Sequence, residues 1–136
     1  MILLVRHASA GDREAWEDDD RLRPLDERGR RQAVQLIELL APYRLERILS
    51  SPALRCVQTV EPLALARGLS IEVSDELSEE RQHLDGAALV RSLQGVDAAV
   101  SCHGGLSEAV CGESQKKAEV LVLEGTAVVE RFRAKG

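Results

Sequence analysis

Four consecutive apolar residues, Ile2 to Val5, run directly into Arg6 and His7, and this junction constrains the fold more than any other stretch. A strand that is apolar on both faces has no side for water, so its sheet must be covered on both sides. Further β-rich runs occur at 46–50, 70–73 and 97–101, with helical patterns between them. Residues 27–41 carry Ala33, Leu36, Ile37 and Leu40 at i, i+3, i+4, i+7 spacing behind Asp26, a good N-cap. Ser51-Pro52 predicts a second helix start, with Ser as N-cap and Pro in the first turn. That helix should run from about 52 to 67 and stop at Gly68, and Pro62 should kink or divide it. A third helix is expected at 86–94, a short one after His103, and a closing hairpin from 118–123 and 127–133. Residues 9–25 and 74–86 read as loops. The alternation predicts a single α/β domain over 1–136, a three-layer α/β/α sandwich with a mostly parallel central sheet.

Trp16, Tyr43 and Phe132 are the only aromatics, so Leu, Val, Ile and Ala must build the core. A net charge of −5 argues against nucleic acid as a partner of the whole chain. Cys56, Cys102 and Cys111 are odd in number and lack C-x-x-C spacing, which suits reduced thiols inside a cell. No signal peptide is expected, and no apolar run approaches the ~20 residues that span a bilayer. A cytoplasmic protein without a membrane partner is the expectation.

Ligands of open α/β sheets bind beyond the carboxyl ends of the strands. The first strand ends in Arg6-His7. The second leads into "SSPALRC", which puts Arg55 in the first helical turn. The fourth ends in "SCHGG", which puts His103 at the same edge. Two arginines and two histidines in one crevice would repel one another unless an anion neutralised them. Guanidinium groups bind phosphate oxygens in pairs, and Gly104-Gly105 leaves backbone N–H groups open at a helix start, a natural anion seat. A phosphate dianion fits this set.

Taken in order, "LLVRHASA", "DDRLRPLDERGRRQA", "ILSSPALRCVQT" and "VSCHGG" resemble the histidine phosphatase superfamily, whose fold is called phosphoglycerate mutase-like. Within it the chain is similar to the small SixA-type phosphohistidine phosphatases, and to the phosphatase domain that follows a MutT-type Nudix domain in some actinobacterial proteins. The resemblance implies that His7 is the nucleophile, that Arg6 and Arg55 clamp the phosphate, and that His103 donates to the transferring phosphoryl. It implies no cofactor and no metal, since the arginines supply the charge that Mg²⁺ supplies elsewhere. Ala8 replaces the Gly of the common R-H-G triplet, a mark of the SixA-type and MutT-linked members. Leu77-Ser78-Glu79 matches the spacing of the general acid in the mutase branch, with Glu80 as the neighbouring alternative. A phosphohistidine substrate needs that acid far less than an alkyl ester does.

Little chain is available to form a lid, apart from 9–25 and 74–86. An open site favours phosphohistidine on a protein, with nucleotides or other small phosphate esters second. A mutase would need a more closed pocket, a non-catalytic phosphate-binding module would be expected to lose the nucleophile, and a metallohydrolase lacks a third ligand at recognisable spacing. His83 reads as a loop residue, Cys102 as a small buried side chain, and "EDDD" at 17–20 as a solvated loop able to hold Arg23 or Arg28.

Overall fold

A computed structural model describes residues 1–136. Six strands form one sheet: β1 (Ile2–Arg6), β2 (Arg47–Ser50), β3 (Ile71–Val73), β4 (Ala98–Cys102), β5 (Glu119–Glu124) and β6 (Ala127–Arg133). Their order is β3-β2-β4-β1-β5-β6. The first four in that order pair in parallel, and the β5–β6 hairpin adds an antiparallel edge. Helices α1 (Glu27–Leu39) and α2 (Leu54–Arg67) pack on one face, α3 (Ala87–Ser92) and α4 (Gly104–Cys111) on the other.

The period of two in β1 divides the core. Leu3 and Val5 face Leu36, Val60 and Leu63 from α1 and α2, while Ile2 and Leu4 face Val90, Leu106 and Val110 from α3 and α4. Each fully buried aliphatic side chain contributes about 1.5–3 kcal/mol, so the unbroken apolar run of β1 stabilises both layers at once. The three-layer sandwich with a mostly parallel sheet is as the sequence predicts.

Asp26 caps α1 as expected, its carboxylate accepting from the Gly29 N–H at 2.8 Å. Gly68 ends α2 in the left-handed conformation at φ 64°. Three details differ. The second helix begins at Leu54 with Ala53 as its N-cap, two residues after Ser51, whose side chain contacts His103. Pro62 does not divide the helix, which runs through it to Arg67. The stretch 74–86 is not wholly irregular: it holds a 3₁₀ turn at Asp75–Leu77 and a wide turn at Gln82–Gly86. No helix is long and apolar enough to cross a membrane.

Candidate active site

Register brings the site together. Arg6 at the end of β1 lies opposite Cys102 at the end of β4, and the His7 N–H donates to the Cys102 carbonyl at 2.9 Å. The next residues along the two strands, His7 and His103, therefore emerge side by side. Their rings meet edge to face with centroids 5.7 Å apart. Ser50 pairs with Ser101 in the same way, which sets Ser51 and the start of α2 beside His103. Arg55, in the first turn of α2, is brought in at the same edge.

A cleft at this edge is lined by Arg6, His7, Gly11, Arg13, Arg23, Glu79, His103, Gly104 and Lys117, with no apolar side chain among them. Arg55 sits against the adjoining hollow, which shares Glu79 and His103. All six site residues expected from the sequence thus meet at one edge. Gly104 lies close under Arg6: a Cβ there would stand 3.1 Å from the guanidinium carbon, so a larger residue would make that side chain shift by a few tenths of an ångström at the start of α4.

His7 is 5% exposed, and its Nδ1 lies 2.8 Å from the Ala8 carbonyl. A carbonyl only accepts, so Nδ1 carries the hydrogen and Nε2 keeps its lone pair. Burial, reinforced by the charges of His103, Arg55 and Arg6, lowers its pKa to about 3 against the opposing effect of the Ala8 carbonyl. His103, 3% exposed, is lowered to about 4 by burial and then by Arg55. Both rings are neutral at pH 7.

Three buried polar atoms here have no partner: Nε of Arg6, Nε of Arg55 and Nδ1 of His103. Leaving such groups unpaired costs about 1–3 kcal/mol each, more when they are charged. Arg6 is otherwise held by the Gln115 carbonyl at 2.5 Å. Gln115 is buried and fixed in turn by the carbonyls of Leu4 and Glu119.

Composition of the rim was less legible. Asp20, from the acidic run that reads as solvated, is a hub for three arginines. Its carboxylate lies 3.0 Å from Arg55, 3.0 Å from Arg23 and 3.4 Å from Arg13, and its backbone carbonyl accepts from Arg55 at 2.8 Å. Arg13 crosses to Glu79 with bonds of 2.8 and 3.0 Å, which ties the 9–25 and 74–86 loops together over the site. Lys117 comes in from the other side, and burial, then Arg6 and Arg23, pull its ammonium pKa down. The backbone beside it is anchored by the Ala118 N–H, which donates to the carbonyls of Arg6 and His7.

Glu79 is paired with Arg13 and Arg55. It faces the cleft, but burial, which would raise its pKa, is outweighed by the Arg13 bond and the charges of His103, Arg13 and Arg55. The carboxyl is held below its ordinary range. No group of three or more His, Cys, Asp or Glu side chains converges as a metal site.

The profile described as the histidine phosphatase superfamily (branch 1) matches residues 2–88. An 8-oxo-(d)GTP phosphatase of Mycolicibacterium smegmatis is 39% identical over 92 residues, which is 68% of this chain but only 29% of that protein's length. Among solved structures, one described as a phosphohistidine phosphatase SixA of Agrobacterium tumefaciens superposes with a TM-score of 0.82 at 26% identity, over 96% of both chains. The protein histidine phosphatase SixA complexed with tungstate gives 0.77 at 24% identity, over 98% of this chain and 96% of that one.

Proposed function

The chain belongs to the histidine phosphatase superfamily, and on that premise we propose that it is a metal-independent phosphatase working through a phosphohistidine at His7. One observation carries the proposal. A neutral imidazole with its free lone pair on Nε2 stands beside buried, unpartnered donors of Arg6, Arg55 and His103. Donors arranged in advance around the reacting group stabilise the charge of a transferring phosphoryl group.

In the first step Nε2 of His7 forms a bond to phosphorus while the bond to the leaving group breaks, and the leaving group takes up a proton from solvent water. The ring gains positive charge, which the Ala8 carbonyl at Nδ1 accommodates. Arg6, Arg55 and His103 bind the phosphoryl oxygens. Water then attacks phosphorus, the N–P bond breaks, and inorganic phosphate leaves with His7 neutral again.

Phosphohistidine on a protein is the favoured substrate. With Glu79 ionised and held by Arg13, the site offers no strong acid for an alkoxide, whereas the P–N bond of a phosphohistidine releases an imidazole readily. Likeness over the whole chain to the Agrobacterium protein agrees with this. Nucleotides are the second reading, favoured by the identity to the Mycolicibacterium protein, of which this chain spans under a third. The test is a comparison of kcat/KM for a phosphohistidine-bearing protein and a panel of nucleoside phosphates. Preference for the protein by more than about tenfold is expected; a smaller ratio, or a reversed one, favours the nucleotide.

A further inference from the structure

His103 acts as a donor only if its hydrogen is on the nitrogen that faces the phosphoryl group. A neutral imidazole carries one hydrogen, and the partner at the other nitrogen decides where it goes. At His103 that other nitrogen is Nε2, and Ser51 Oγ lies 2.9 Å from it.

Ser51 is wholly buried, so its hydroxyl hydrogen has no water to turn to. The backbone N–H of Ala53 donates to the same oxygen at 3.3 Å, which uses acceptor capacity and leaves the hydrogen free. Of the acceptors beside that hydrogen, the imidazole nitrogen Nε2 is the strong one and the neighbouring Cys56 sulfur only a weak one. Cys56 Sγ adds a second contact at 3.6 Å from Nε2, and burial pushes its thiol up to about 12, so it too is a protonated group there. Two X–H groups facing Nε2 make it an acceptor. Nδ1 then holds the hydrogen, and Nδ1 is the buried atom with no protein partner.

We propose that Ser51 is a positioning residue that fixes His103 as the Nδ1–H tautomer, so that this N–H is aimed at an oxygen of the transferring phosphoryl group. The inference rests on the phosphatase reading for its consequence, though not for the tautomer itself.

The test is ¹⁵N-histidine NMR of the whole protein at neutral pH, with His7→Ala and His103→Ala used to assign the rings. The expected spectrum shows a protonated-type Nδ1 and an acceptor-type Nε2 at His103. A protonated-type Nε2 would overturn the proposal. In Ser51→Ala the tautomers of His103 should mix and kcat for an aryl phosphate should fall by about tenfold or more, in line with removal of a preorganised donor. Ser51→Thr, which keeps the hydroxyl, should restore the Nδ1–H form and most of the rate. An unchanged His103 spectrum in Ser51→Ala would also overturn it. Absence of turnover in the wild type would count against the phosphatase reading, and the wild-type spectrum would still decide the tautomer.

Discussion

A guanidinium has five N–H donors, and at Arg55 the fold satisfies the terminal nitrogens while leaving Nε bare. Asp20 takes Nη1 through its backbone carbonyl and Nη2 through its carboxylate, and Glu79 lies 3.4 Å from Nη2. The side chain is 1% exposed, so its orientation is fixed before any ligand arrives. Lysine carries the same charge without the fork. Arg55→Lys is therefore expected to weaken inorganic phosphate binding by about tenfold or more, roughly 1.4 kcal/mol, read by calorimetry; unchanged affinity would remove Arg55 from the clamp. Glu79 is a separate case. If its carboxylate orients Arg13 and Arg55 and does not donate a proton, Glu79→Gln should keep kcat for an alkyl phosphate, the substrate that most needs an acid, within about fivefold. Loss of a general acid costs about 10²-fold or more, and a fall of that size would restore Glu79 as the acid.

At the scale of elements, Asp26 shows how one cap serves both fold and site. It accepts from the Gly29 N–H at the start of α1, and also from Ser9 Oγ at 2.7 Å and the Gly11 N–H at 3.0 Å, where the chain leaves the cleft. Asp26→Ala should lower unfolding stability by about 2 kcal/mol, one helix cap plus the loop hydrogen bonds, measured by urea titration. A loss under about 0.5 kcal/mol would mean the cap is redundant. Elements were legible in the sequence where one signal dominated: the apolar run of β1, the Asp26 cap, the glycine stop at residue 68. They were misread where two demands met on one residue. Ser51 has the chemistry of an N-cap and its Oγ accepts from the Ala53 N–H at 3.3 Å while it also meets a buried imidazole, yet the helix itself starts only at Leu54. Pro62 lacks an N–H, but the packing of Val60, Leu63 and Ala64 in the core keeps α2 continuous. In the site, Arg6, His7 and His103 stand out because strand ends rarely carry such residues, and Arg55 because it opens the helix that follows the second strand. Arg13, Asp20, Arg23 and Lys117 do not, because charged residues in loops look alike until tertiary contacts pair them.

For the whole molecule, burying two neutral histidines makes folding sensitive to acid. The folded pKa of His7 is about 3 and that of His103 about 4, both below the ordinary histidine value of 6.5. The unfolded chain therefore binds protons first as pH falls, and stability is lost from about pH 6.5 downward, until the folded values are reached. Each ring contributes a slope of about 1.4 kcal/mol per pH unit within that window. His7→Asn should reduce the fall in stability between pH 6 and 5 by about 1.4 kcal/mol relative to wild type, by urea titration at both pH values. An unaltered slope would mean that His7 is not buried neutral.

The nucleophile itself is tested by trapping. Purified protein is mixed with a phosphohistidine-bearing protein or an aryl phosphate in excess chelator, quenched in base, and searched by peptide mass spectrometry for a phosphoryl adduct, with His7→Ala beside it. The expected result is an acid-labile, base-stable adduct on His7, formed and discharged at rates consistent with turnover, and no turnover in His7→Ala. Turnover that His7→Ala retains, or an adduct on another residue, would contradict the central claim.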